Sequence, residues 1–230
     1  MDFSDVLEKR RSCHFYRSKP VEFDLIGTVL YAGTQAPSAG NVQNWEFIVV
    51  TDQGKREQVA KACIDQTWMV NAPVHLVICN NKERVTKLYP RRGALYATQN
   101  CALAAGNMML KATELGLGTC WIGSFDETAV KRILRIPSSV EPELILTLGY
   151  VQELDQPTSR EPLSVVTHFE TYGKRNREGD VGVFPLVPRV ERTVEEAKAT
   201  VTDLHNQSKK RLSRFFKWLK KKKDEDPESP

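Results

Sequence analysis

Two short stretches carry residue types from which a binding site could be made. In RRSCHFY, residues 10–16, Arg10, Arg11 and Ser12 suit a phosphate, because a guanidinium pairs with phosphate oxygens two at a time. In APSAGNVQNWEF, residues 36–47, Pro37 and Gly40 break a helical pattern while Ser38 and Ala39 keep the turn slim. Three side-chain amides (Asn41, Gln43 and Asn44) then run into an aromatic and a strand. Such a loop lets backbone approach a flat ligand closely while amides read its edge. Each stretch also has a plainer reading. Arg10 and Arg11 could be a basic helix end favoured by the macrodipole, and 36–47 a polar helix-to-strand turn. No Gly-x-Ser-x-Gly, phosphate-loop or His-Glu-x-x-His pattern occurs. The glycines of TELGLGTC follow a helical pattern where a dinucleotide fingerprint needs a strand.

The elements that must position these residues alternate in type. Residues 2–9 read as a short helix with Phe3, Val6 and Leu7 on one face, and 23–34 as a second with Phe23, Ile26, Val29 and Leu30 at helical spacing. Runs of β-branched residues predict strands at 46–51 and 74–79, with a helix over 54–66 between them. The longest helix falls over 93–115, alanine-rich and apolar nearly all round, which suggests a core or dimer position. Gly116 and Gly118 end it, TCWIGS reads as a strand, Asp126 caps a helix to about Arg135, and ELILTLGYV is the last core strand. This order predicts a layered α/β or α+β domain.

Four blocks in order resemble the FMN-dependent nitroreductases. They are RRSCHFY; APSAGNVQNWEF, similar to that family's Pro-Ser-x-x-Asn-x-Gln-Pro-Trp; NMMLKATELGLGTCWIGSF at 107–125; and LTLGYV followed by Arg160. The resemblance covers residues 1 to about 173. It implies an α+β fold with a central, mostly antiparallel sheet flanked by helices and the long buried helix at an intertwined homodimer interface. It further implies FMN at that interface, with NADH or NADPH as donor and a ping-pong exchange with a small electron acceptor such as a nitro compound or quinone. No catalytic side chain is then needed, because the flavin carries the chemistry.

By the same resemblance Arg10, Ser12 and His14, with Arg11 beside them, hold the phosphate and ribityl end, and Arg160 closes the phosphate. Ser38 and Asn41 match residues that meet the ring, in a cofactor loop that takes in Pro37, Ala39 and Gln43; Gln43 and Trp45 hold that loop against the core. Ile122 and Gly123 resemble the segment whose backbone faces the ring's reactive edge. The sequence departs from the family at His14, where Arg or Lys is usual, and at Asn44, where a proline would stiffen the loop and its absence predicts a looser one. Asn100 and Gly106 stand where the family often has Asp and Gln, which bears on the dimer core. The stretch 81–93 is short for a lid that seals the flavin.

Composition bounds the rest. The net charge of +4 is local: residues 206–223 carry nine Lys or Arg, and without 206–230 there remain 24 basic and 25 acidic residues. A nucleic-acid role for the domain is therefore not expected. Residues 1–173 read as the FMN-binding domain, 174–192 as an extended arm, 193–223 as a basic amphipathic extension and 224–230 as an acidic terminus. Leu212, Phe215, Phe216 and Leu219 form an apolar stripe with Trp218 beside it among lysines and arginines. It could lie on an anionic membrane surface, pack on the protein's own dimer, or bind nucleic acid nonspecifically. Five cysteines without a Cys-x-x-Cys pair, no secretory signal and no long apolar run fit a cytoplasmic protein, which a membrane-bound stripe would hold peripherally on the inner membrane face. A second functional reading is a catalytically silent FMN-fold scaffold tethered through that extension.

Overall fold

Strand residues that alternate between two buried faces dictate a sheet covered on both sides. The computed structural model describes residues 1–64, 66–154 and 156–175. Five strands, β1 (Phe15–Tyr16), β2 (Trp45–Val50), β3 (Val74–Asn80), β4 (Leu117–Ile122) and β5 (Glu141–Glu153), are ordered β1-β5-β3-β2, with β4 also on β5. All these pairings are antiparallel, in keeping with the mostly antiparallel sheet that the resemblance implies. β5 is the longest strand and meets β1, β3 and β4.

Leu76 and Ile78 of β3 and Leu144, Leu146 and Leu148 of β5 face one layer, made by α2 (Phe23–Thr34) and α5 (Gly93–Glu114). Val77, Cys79 and Ile145 face the other layer, made by α3 (Gln53–Ala62) and α6 (Glu127–Leu134). These odd and even positions alternate because successive strand side chains point to opposite faces. α1 (Phe3–Lys9), capped by the Asp2 carboxylate on the Asp5 amide at 2.9 Å, leads into the first candidate block.

Most predicted elements stand within a residue or two. The helix expected over 54–66 ends at Ala62 and is followed by a 3-10 turn, Thr67–Asn71. Strand β1 and the short helix α4 (Lys82–Thr86) are additions. The long helix is not buried all round within the chain: Ala97, Cys101, Ala104 and Met108 are buried, but Leu95 and Leu103 are about half exposed. Nothing lies within 4 Å of where a Cβ on Gly106 would be.

Met1–Thr158 form one compact unit, and a second begins at Ser159. The second includes α7 (Leu163–Val166) and a turn in which Lys174 pairs with Glu170 at 2.5 Å. Among the described residues no helix is long and apolar enough to cross a membrane. The extension at 193–223, its apolar stripe and the acidic terminus lie outside the described residues.

Candidate functional site

The first block is bound to the edge of β4. Ser12 forms a parallel bridge with Thr119, and the Cys13 amide donates to the Thr119 carbonyl at 3.0 Å. Glycine is required opposite, because a Cβ on Gly118 would sit 2.8 Å from both Cβ and Sγ of Cys13. Tyr16 fastens the block from behind: its hydroxyl bonds to the Cys13 carbonyl and to Thr147 Oγ1, each at 2.7 Å. Burial raises that phenol's pKa far above its ordinary value.

Arg10 is the C-cap of α1, half-buried, with no carboxylate in ion-pair reach among the described residues. The Arg11 guanidinium turns back onto the carbonyls of Glu8 and Arg10, which is the helix-end role. His14 Nε2 lies 3.5 Å from Cys120 Sγ, and its ring meets Trp68 edge-on at 4.5 Å. At the far end of β4 the Ile122 side chain is buried in the α3/α6 layer. Gly123 is exposed, and among the described residues a Cβ there would meet only the Trp121 indole, nearest at Nε1, 3.4 Å away. The Thr119 hydroxyl is buried and has no hydrogen-bond partner among the described residues.

The second block is a tightly wound loop. Gly40 (φ 58), Asn41 (φ 53) and Gln43 (φ 50) all adopt left-handed backbone, which costs a non-glycine residue about 1–2 kcal/mol. Local bonds close it: the Gln43 amide donates to Ser38 Oγ at 3.1 Å, and Gln43 Nε2 to Asn41 Oδ1 at 3.0 Å. Long-range amides anchor it. Asn44 is fully buried and donates to Asn80 Oδ1 at 2.7 Å and the Ala97 carbonyl at 3.1 Å. It accepts from Asn100 Nδ2 at 2.6 Å, while Asn100 Oδ1 accepts the Ala39 amide at 3.0 Å. Asn80 in turn donates to Glu143 at 2.7 Å.

Two expectations are corrected here. Asn44 does not loosen the loop; it ties the loop to α5 and β3, and none of its amide is left to read a ligand. Gln43 is exposed and closes onto Asn41, leaving Trp45, 7% exposed, to pin the loop to the core. Pro37 is exposed, and Ser38 and Ala39 are half-buried beside it.

A third group escaped the sequence reading, which took the stretch 81–93 for its length alone. Tyr89 packs its hydroxyl 3.0 Å from where a Gly40 Cβ would be and meets Tyr96 edge-on at 5.4 Å. The Arg92 guanidinium lies over the Tyr96 ring at 5.4 Å, and Arg84 donates to the Gln43 carbonyl at 3.3 Å. The signal was present in the composition of NKERVTKLYPRR, five cations and a tyrosine beside a Gly-containing loop.

The chain thus gathers Arg10, Arg11, Ser12, His14, Ile122 and Gly123 on and around β4, and Pro37, Ser38, Ala39, Asn41 and Gln43 against α5. No hydrogen bond or ring contact joins the two sets among the described residues. Arg160 belongs to the second unit, where its Nη1 donates to the Ser159 carbonyl at 3.4 Å. No group of three or more metal-ligating side chains occurs among the described residues.

A family model described as the nitroreductase family matches residues 7–69 and 64–150. A relative from Archaeoglobus fulgidus, described as a putative NADH dehydrogenase/NAD(P)H nitroreductase, is 30% identical over 152 residues, 64% of this chain and 84% of its own. One of the same description from Methanothermobacter thermautotrophicus is 29% identical over 159 residues, 66% of this chain and 79% of its own. Among solved structures, an FMN-dependent nitroreductase from Clostridium difficile superposes with a TM-score of 0.64 at 28% identity, covering 73% of this chain and 98% of that one.

Proposed function

Because the chain belongs to the nitroreductase family, and is on that ground an NAD(P)H-dependent flavin oxidoreductase with FMN as its cofactor, we propose which of its residues hold the flavin and how. The observation that carries the reading is the Ser12–Thr119 bridge. It sets Arg10, Ser12 and His14 alongside the strand that ends at Ile122, just before Gly123. One element therefore serves a phosphate at one end and a ring edge at the other. The residues suit the group. Among the described residues the Arg10 guanidinium has no carboxylate in reach and the buried Thr119 hydroxyl beside Ser12 lacks a partner, and Gly123 leaves its backbone open to close approach.

In this reading Arg10 and Ser12 bind the phosphate and ribityl chain, with His14 at their side. Arg11 supports the turn through its bonds to the α1 carbonyls. The loop of Pro37, Ser38, Ala39, Asn41 and Gln43 meets the ring. FMN held there would supply hydride transfer from NADH or NADPH and, in a second half-reaction, to a small acceptor such as a nitro compound or quinone, with the accompanying proton coming from water. The chain's own residues would bind and orient the group and shield it from water.

Two sets of residues on separate elements, exposed Leu95 and Leu103, and open space at Gly106 support a homodimer in which α5 meets its copy and each subunit completes the other's site. An apolar groove of about 340 Å³ between α1, α2 and α5, lined by Phe3, Val6, Tyr31 and Leu110, adds surface of the kind such an interface covers. No observation favours the silent-scaffold reading.

The test is the visible spectrum of the purified protein before and after NADH or NADPH is added without oxygen. A flavin spectrum that bleaches is expected; protein that FMN cannot reconstitute overturns the reading. Arg10→Ala is expected to weaken FMN binding about 100-fold, the cost of losing a charged hydrogen bond to phosphate. Titration of the apoprotein with FMN measures it, and a fully loaded Arg10→Ala variant would contradict the assignment.

A further inference from the structure

The segment between β3 and α5 carries charge that the proposed flavin site does not use. Its lysines are neutralised: Lys82 pairs with Glu141, and Lys87 with Glu83 at 2.9 Å. Its arginines are not. Arg84, Arg91 and Arg92 are exposed, and none has a carboxylate within ion-pair distance among the described residues.

These cations are continuous with the loop proposed to meet the flavin ring. Arg84 donates to the Gln43 carbonyl, Arg92 lies over Tyr96, Tyr96 meets Tyr89, and Tyr89 packs on Gly40. Two arginines are therefore fixed by a carbonyl and a ring, and neither of those contacts cancels charge. Holding three exposed like charges within nine residues of one segment is electrostatically unfavourable, and a multiply charged anion reverses the sign of that cost.

We propose that Arg84, Arg91 and Arg92, with Tyr89 and Tyr96, bind the phosphate-bearing half of the nicotinamide donor and favour NADPH over NADH. The proposal rests on the NAD(P)H-dependent reading above. A donor whose nicotinamide reaches the flavin must lay the rest of its length on the surface near that loop. That remainder carries a pyrophosphate, an adenine and, in NADPH alone, a 2′-phosphate. Guanidinium forks match phosphate oxygens, and a tyrosine ring gives the adenine a face to stack on. Three separate guanidiniums suit a ligand with several anionic groups better than an acceptor with a single carboxylate. Because the rim is exposed, each contact is modest and weakens with salt.

The test uses the full-length, FMN-loaded protein and its Arg91→Gln/Arg92→Gln variant. Anaerobic flavin bleaching is followed with NADPH and with NADH, and binding of adenosine 2′,5′-bisphosphate is measured by calorimetry. The wild type is expected to be reduced faster by NADPH. The variant should lose about tenfold or more in the second-order rate with NADPH, less with NADH, and bind the bisphosphate about tenfold more weakly, with its FMN spectrum unchanged. An unaltered NADPH-to-NADH ratio together with unaltered bisphosphate binding overturns the proposal. So does a loss confined to the half-reaction with a carboxylate-bearing nitroaromatic, which would give the rim to the acceptor. If neither nucleotide bleaches the wild type, the donor reading fails at its root and takes the proposal with it, whatever the variant does.

Discussion

The block along β4 and the loop against α5 solve the same problem, presenting polar groups at fixed positions, by opposite means. The β4 block is regular backbone held by sheet hydrogen bonds and by a thiol packed on a glycine, and its Arg10 carries no strain. The loop holds three left-handed residues within four positions and is secured by buried amides drawn from β3 and α5. Regular backbone positions a few long side chains cheaply. A strained loop sets backbone amides and carbonyls themselves, which is what close approach to a flat surface needs, and it stands only because the surrounding bonds over-determine it.

The comparison can be broken at its strongest point by Asn44→Leu. That change strands Asn100 Nδ2 and Asn80 Oδ1 in the core, and two buried unsatisfied groups cost about 4 kcal/mol together. Tyr16→Phe removes the anchor of the β4 block and should cost about 1 kcal/mol. Urea unfolding of both variants measures the difference; equal losses would mean the two regions are held alike.

Acid should sharpen the same contrast. His75, buried under the Thr67–Asn71 turn that carries Trp68, donates from Nε2 to the Met69 carbonyl at 2.9 Å, and its Nδ1 has no partner among the described residues. Burial, helped by the charge of Arg56 and opposed by the Met69 bond, lowers its pKa from 6.5 to about 4. The folded-state value is depressed, so the stabilisation is complete above about 6.5 and is lost as pH falls toward 4, up to about 3 kcal/mol. Hydrogen exchange should show amides near Trp68 and His14 opening in that window before those at Ala39 and Asn44. His75→Gln should flatten the dependence of stability on pH.

An effect of about the size of Tyr16→Phe is expected at Gly40. Alanine there adds a left-handed penalty of about 1 kcal/mol and must displace the Tyr89 hydroxyl. Thermal unfolding should register the loss, and the flavin spectrum should shift if the loop touches the ring. A spectrum identical to wild type would separate the loop from the cofactor.

What the sequence disclosed follows from how far apart the determining residues lie. The strands were readable because their β-branched runs are local, and α6 because Asp126 caps the Ala129 amide three residues on. The turn at 40–43 was visible through Gly40, yet Asn41 and Gln43 gave no sign of left-handed backbone. Asn44 was misread because its partners are Asn80, Ala97 and Asn100, all distant in the chain. β1, two residues long, offers no periodicity to detect. Arg11 shows the plainer reading prevailing at one position inside a block where the binding role is proposed for its neighbours.

β5 has a consequence for how the molecule comes into being. It is the strand shared by β1, β3 and β4, and it is the last of the five to leave the ribosome. Until Glu141–Glu153 emerge, β2 and β3 have only each other, and β4 carries Cys120 and Ile122 on an open edge. Both regions proposed to bind the flavin are therefore translated early and shaped late. The nascent chain carries both regions before it has a sheet to hang them on, and its window of exposure to chaperones and to misplaced strand partners closes with a single thirteen-residue segment.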